Sequence, residues 1–312
     1  MSICVLLKRS PDVRIPLERE AGSGRIDAQR QVMQLDAAAA AAWETGRGLV
    51  GPPSGRADLT AITLGAVSEE GVLRDALAAG ADRAIRIWEE SPEGWESGLD
   101  QVRTYGKSVV LAEACRTAGF DVLLAGTCSA DTAGGQLAAT LAARLGVTFV
   151  GQVLSAEWVE SQTERRLCIV RALAHGYQEV VEAECPLVLA VQPREVAPRF
   201  PSYPEMLAAQ RARIEVWDLA ELGVPAALVK QADRVVVPGP LRFPKPRGLV
   251  TPTPDSALPA FKRIQILVQG TVSRKKGSLS TSPPPHAARE LFELLQREGW
   301  LDHLRPSRAS DR

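Results

Sequence analysis

Asp121-Val-Leu-Leu-Ala-Gly126-Thr-Cys-Ser-Ala-Asp131-Thr-Ala-Gly134-Gly135-Gln136 is a short apolar run, then a turn of small residues, then the start of a helix. Small side chains let backbone N–H groups approach a phosphate, and the N-terminus of the helix that follows adds partial positive charge. Ligands of open α/β sheets gather at the carboxyl ends of strands, where this turn lies. The same composition also suits an ordinary tight strand-to-helix connection, and both readings stay open here. The segment is neither Gly-x-Gly-x-x-Gly nor Gly-x-x-x-x-Gly-Lys-Ser/Thr, so it is neither a dinucleotide fingerprint nor a Walker loop.

Upstream of the turn the chain alternates. Ile3–Leu7 reads as a strand, and Glu18–Arg25 as a polar excursion. A helix is expected over Asp27–Trp43, where six alanines run from Ala37 to Ala42. Strand Leu59–Leu64 ends at Gly65, helix Glu69–Ala79 at Gly80, and strand Asp82–Ile87 leads to a helix over Val102–Thr117. Downstream, helix Gln136–Leu145 stops at Gly146. This order predicts an α/β fold with a Rossmann-like, mostly parallel sheet covered on both faces.

Beyond Leu145 the character changes. Thr148–Glu157, Arg165–Leu173, Gln178–Ala183 and Leu187–Val191 read as strands with no helix between them, which predicts antiparallel pairing added to the parallel sheet. Prolines then accumulate, with a helix over Met206–Ala212. An extended arm is expected from Asp233 to Pro259, a loop over Gly270–Pro285, and an amphipathic helix over Ala287–Leu295. The expected organisation is an α/β domain over residues 1–232 and a C-terminal arm over 233–312.

The 37 Lys and Arg balance the 37 Asp and Glu, so no long-range field draws the whole chain to nucleic acid or to an anionic membrane. Five scattered cysteines lack Cys-x-x-Cys spacing, which argues against a disulfide framework or a zinc site; at least four of them read as core. Met1–Lys8 lacks a signal-peptide pattern and no apolar run is long enough to span a bilayer, so the cytoplasm is the expected compartment. Catalytic patterns are poor. There is no Gly-x-Ser-x-Gly elbow and no His-Glu-x-x-His, and His175 reads as a turn residue. Lys8-Arg9, directly after the first strand, either faces a ligand or faces solvent.

Several segments, taken in order, resemble the β subunit of electron-transfer flavoproteins and its Fix-type relatives. Ile3-Cys-Val-Leu-Leu-Lys8-Arg9-Ser-Pro11-Asp12 is similar to that family's opening strand and loop. Asp36 before its alanine-rich helix resembles an Asn-Pro-Phe-Asp segment. Leu73-Arg-Asp-Ala-Leu-Ala-Ala-Gly-Ala-Asp82-Arg83-Ala84 is close to the Leu-Arg-Glu-Ala-Leu-Ala-Met-Gly-Ala-Asp-Arg-Ala signature. Phe120–Gly126 with the helix to Gly146, and Pro198-Arg199-Phe200-Pro-Ser-Tyr203-Pro-Glu-Met206, match further segments. The resemblance covers about residues 3–222 and, weakly, the last helix.

The resemblance implies a nucleotide-hydrolase-like fold and an electron-carrier subunit that is not itself an enzyme. It implies an α-subunit partner carrying the redox FAD, AMP held by this chain, and electron flow from a dehydrogenase to a quinone-linked or iron–sulfur acceptor. Neither nucleic-acid binding nor membrane insertion is expected. By position, the nucleotide contacts fall on Leu6, on Met33, Gln34, Leu35 and Asp36, and on Leu64 and Gly65. They continue through Gly126, Thr127, Cys128, Ser129, Ala130, Asp131, Thr132, Ala133, Gly134, Gly135 and Gln136. Partner docking falls on Arg194, Glu195, Val196, Pro198 and Arg199.

The chain also departs from the pattern. Met33-Gln34-Leu35 stands for Asn-Pro-Phe. Ala133 and Gly134 replace an acid and a threonine of the bifurcating type, which speaks against a second FAD and leaves AMP expected, with an empty seat as the alternative. Ala172 stands where an acid is usual, and Glu195 where an exposed leucine is usual. These changes also fit a nucleotide-binding scaffold that has lost redox work. The Ser-Gly-Gly-x-Asp-Ser loop of ATP-pyrophosphatases is absent; Lys8-Arg-Ser-Pro-Asp12 stands there. Leu249–Ser282 reads as an insertion in the arm.

Overall fold

Short apolar strands buried on both faces organise the protein. The computed structural model describes residues 1–12, 14–15, 30–51, 56–88, 99, 102–159, 165–194, 199–236, 254–269 and 282–298. The chain divides into two compact units, Met1–Gly239 and Pro240–Arg312.

In the first unit, β1 (Ser2–Leu6), β4 (Asp58–Leu64), β5 (Arg83–Ile87), β6 (Val122–Gly126) and β10 (Leu187–Val191) are central and parallel. With β7 (Thr148–Trp158), β8 (Arg166–Ala172), β9 (Gln178–Glu184) and β11 (Glu215–Trp217) they form a nine-stranded sheet, ordered β11-β5-β4-β1-β6-β10-β7-β8-β9. A separate pair joins β2 (Arg9–Pro11) to β3 (Met33–Leu35), antiparallel.

The two-residue period of the strands feeds two cores. Ile3, Val5, Val122 and Leu124 face one side, where α1 (Ala37–Gly48) and α2 (Glu70–Ala78) pack. Cys4, Leu6, Leu123 and Ala125 face the other, covered by α3 (Thr104–Ala118), α4 (Leu137–Leu145) and α6 (Ala226–Asp233). α5 (Tyr203–Arg211) opens with a Ser202–Glu205 capping box.

The expected α/β sheet is present, with three corrections. Helix α1 starts at Ala37 and not near Asp27, because Met33–Leu35 pairs with β2 and Asp36 caps the helix through Ala38 N. Of the four late strands, only β7, β8 and β9 pair antiparallel; β10 returns into the parallel sheet between β6 and β7, and its five buried residues show no alternation. Of the cysteines, Cys4 and Cys115 are buried, Cys168 and Cys185 half-buried, and Cys128 exposed on the turn. All five are free.

The polar excursion over residues 18–25 lies outside the described residues, as does most of the expected arm and insertion. In the second unit α7 (Ala260–Gln269) was not expected, and α8 (Pro284–Arg297) extends the expected last helix at both ends. No helix among the described residues is long and apolar enough to cross a membrane.

A candidate site at the switch point of the sheet

From β1 the chain steps outward to β4 and β5 on one side, then returns to lay β6 on the other. Such a reversal leaves a crevice at the carboxyl ends of the strands, between the two connections. A cleft of about 690 Å³ opens there. Leu6, Leu7, Ile62, Leu64 and Ala125 give it an apolar floor at the ends of β1, β4 and β6.

One wall is the turn after β6. A Cβ on Gly126 would stand 2.6 Å from Ala38 Cβ and 2.9 Å from Ala38 C, so the small residue lets the N-terminus of α1 press on the turn. Asp36, 3% exposed, ties both together: Oδ1 accepts from Ala38 N at 3.0 Å and Oδ2 from Ala130 N at 2.8 Å. Lys8 Nζ donates to Asp131 at 2.7 and 2.8 Å and to Ser129 Oγ at 3.1 Å. Partial burial alone would raise the Asp131 carboxyl, but hydrogen bonds from Lys8 and Ser129 outweigh it and hold the group below its ordinary value. Ala133 N donates to Ser129 O, and Ala133 and Gly135 take positive φ, which folds the turn back toward α4. The first N–H groups of α4 have no side-chain cap.

The facing wall comes from the start of α3: Arg103, Thr104, Tyr105 and Lys107, above Val102 and Leu111. Arg103 N donates to Asp233 Oδ1 at 2.6 Å, and its guanidinium reaches Asp233 O and Val236 O at 3.2 and 3.0 Å. The C-terminal end of α6 thus holds this wall in place.

Eleven of the expected nucleotide contacts line the cleft: Leu6, Asp36, Leu64, Gly126, Thr127, Cys128, Ser129, Thr132, Gly134, Gly135 and Gln136. Ala130, Asp131 and Ala133 belong to the same turn and take part in its hydrogen bonding, the two alanines through backbone N–H and Asp131 through its carboxylate. Met33, Gln34 and Leu35 lie on β3, where Gln34 accepts from Arg14 and Leu35 packs toward the core. Gly65 is buried against Glu69. Lys8 and Arg9 part company: Lys8 lines the cleft, while Arg9 pairs with Glu69 at 2.7 Å. The α3 wall was missed. Thr104-Tyr-Gly-Lys107 looks like any helix start, and nothing local marks its partner Asp233.

Arg194 donates to Leu154 O at 2.9 Å and to Thr45 Oγ1 at 3.4 Å. Arg199 pairs with Glu205. Glu195, Val196 and Pro198 lie outside the described residues. His175 sits in a short turn between β8 and β9. On the neighbouring strand end, Arg171 Nε is buried without a hydrogen-bond partner, the one such side-chain nitrogen or oxygen among the described residues. Among the described residues no cluster of His, Cys, Asp and Glu could hold a metal.

Sheet and cleft together define an open, mostly parallel α/β protein with a crevice of apolar floor and polar rim at its topological switch. Residues 23–222 match the model of the Electron transfer flavoprotein domain, and the chain belongs to that family as a divergent member on its β-subunit side. It is similar to the electron transfer flavoprotein subunit beta of Bacillus subtilis, 28% identical over 77% of each chain. The subunit of the same name from Mycobacterium tuberculosis is 27% identical, over 72% of this chain and 81% of its own. That from Methylophilus methylotrophus is 28% identical over 54% and 61%.

Proposed function

We propose that this chain is the β subunit of a heterodimeric electron-transfer flavoprotein, an electron carrier that binds AMP and helps enclose an FAD held mainly by its α subunit. The observation that carries the reading is the cleft at the switch point. Its residues suit a nucleoside monophosphate: an apolar floor for the base, and a turn rich in backbone N–H groups, ahead of an uncapped helix, for the phosphate. The FAD supplies the redox chemistry; this chain binds, orients and excludes water. Asp36 and Lys8 fix the shape of the turn.

Family membership favours the α-subunit partner, and with it electron flow from a dehydrogenase to a quinone-linked or iron–sulfur acceptor. Arg194–Arg199 is the proposed dehydrogenase-docking segment, residues 233–312 the arm that embraces the α subunit, and the cytoplasm the proposed compartment. The exposed Phe200 and Tyr203 beside the docking segment support a partner there.

The test is co-expression with an α-like partner, followed by a visible spectrum and assay of released nucleotides. One flavin and one AMP per heterodimer are expected. Two flavins would assign the cleft to FAD. A stable chain with nucleotide but neither flavin nor partner would favour the scaffold reading motivated by Leu35, Ala172 and Glu195.

A further inference from the structure

The last turn of α6 lies close on α3 where Gly106 leaves room: a Cβ there would stand 3.2 Å from Val229 O and 3.3 Å from Asp233 Cβ. Arg103 makes two separate attachments to that turn. Its backbone N–H donates to Asp233 Oδ1 at 2.6 Å, which fixes the residue that opens α3. Its guanidinium reaches further along the chain. Nη1 donates to Asp233 O and Val236 O at 3.2 and 3.0 Å, and lies 3.5 Å from Asp233 Oδ2. The side chain thus gathers the segment that leaves α6, and both Asp233 and Val236 line the cleft. From Val236 the sequence runs directly into the arm, with Pro238, Pro240, Pro244 and Pro246.

We propose that Arg103 is a positioning residue that ties the nucleotide cleft to the root of the C-terminal arm, so that seating the arm on the α subunit holds residues 233–236 against the bound nucleotide and slows its release. The inference rests on AMP and the α subunit as proposed above. In the chain alone, Arg103 fastens this segment at one end. Once the arm is bound to its partner the segment is held at both ends, and the ligand leaves only past a stretch of chain that has lost freedom to move. Linkage makes the effect mutual: whatever factor the α subunit adds to the affinity for AMP, AMP adds to the affinity for the α subunit. The opposite wall has no such route to the arm, because Asp36 and Lys8 tie it to α1 and to the end of β1.

The test is the release of radiolabelled AMP into excess unlabelled AMP, from the full-length chain alone and from its heterodimer with an α-like partner. Release is expected to be at least about fivefold slower from the heterodimer. Arg103→Gln keeps the backbone bond to Asp233 Oδ1 but gives up those to Asp233 O and Val236 O, so it should bring the two rates close together. Arg103→Lys keeps a cation for one of those carbonyls and should recover part of the difference. A merely structural Arg103 would change both rates by the same factor. An undiminished difference in Arg103→Gln therefore overturns the inference, as do equal rates in the unaltered protein. If thermal unfolding shows that Arg103→Gln has lost the fold, Arg103→Lys alone decides: its difference must be smaller than that of the unaltered protein. A chain that binds no AMP overturns the nucleotide reading, and one that binds AMP but forms no heterodimer overturns the subunit reading; the inference falls with either.

Discussion

The two walls of the cleft are made differently. The wall after β6 presents backbone, and its side chains are mostly small; two residues behind it, Asp36 and Lys8, do the holding. The wall at the start of α3 presents side chains, and Asp233 at the end of another helix anchors it, with Val236 O just beyond. Fold and site are therefore the same bonds on the first wall and separable on the second. A change in the turn should cost stability and ligand together, whereas a change at Thr104 or Lys107 should alter the ligand and spare the fold.

The largest effect is expected at Asp36. Replacing it with Ala removes the cap of α1 and leaves Ala130 N–H without its buried acceptor. A lost cap costs about 1 kcal/mol and the lost hydrogen bond to a carboxylate about 1.5–3 kcal/mol, for a combined loss of about 2.5–4 kcal/mol. Urea unfolding should show a lower midpoint at unchanged slope, and AMP should no longer copurify. Retained AMP at reduced stability would break the equation of fold with site on this wall.

Gly126→Val comes next. Its side chain meets the backbone of Ala38, not a flexible tip, so α1 must shift. Overpacking of this kind costs about 1–3 kcal/mol, read as a lowered thermal midpoint. A neutral result would mean that α1 yields freely, and that the glycine serves the ligand alone.

The first wall was legible in the sequence because its requirements are local. Gly126, Gly134 and Gly135 follow an apolar run, where small residues suit either a tight connection or a bound phosphate, and both put the turn in the same place. The floor was half legible: Leu6 and Leu64 end strands, but Leu7, Ile62 and Ala125 look like any core residue. The second wall was not legible. Arg103 and Asp233 are 130 residues apart and meet only after the helices on that face have packed. Locally, each is a charge at a helix end. The start of α1 misled for a related reason: alanine propensity extends a helix in either direction, and only the pairing of Met33–Leu35 with β2 sets its boundary. Strand β10 misled because order along the chain does not reveal that it leaves its neighbours and inserts between β6 and β7.

A smaller effect, with a sign in pH, belongs to the Lys8–Asp131 pair. The folded Asp131 carboxyl lies below its ordinary value, so its contribution is fully present above about pH 4 and is lost as pH falls through the folded value. The pair is partly exposed, at 44% and 28%, which limits it to under about 1 kcal/mol. Asp131→Asn should therefore be slightly less stable than the unaltered protein at pH 7 and equally stable well below pH 4, in urea titrations at both values. A gap that persists in acid would mean that Asp131 holds the turn by shape and not by charge.

The smallest stability effect is expected where Gly134 of the turn faces Thr104 of α3. A Cβ on Gly134 would lie 3.4 Å from Thr104 Oγ1, a contact needing no more than a slight adjustment, and Gly134 has no positive φ to strain. Gly134→Ala should leave unfolding within about 0.5 kcal/mol, as surface substitutions usually do. The new methyl nevertheless enters the gap a phosphate would use, so AMP occupancy measured on the purified heterodimer should fall severalfold. Thr104→Ala made alongside it should restore part of the loss if the methyl acts by crowding between the walls. If Gly134→Ala binds AMP normally, the phosphate does not pass between turn and α3, and the second wall serves the fold rather than the ligand. If stability falls sharply instead, the turn is as rigid at Gly134 as at Gly126, and its whole length is structural.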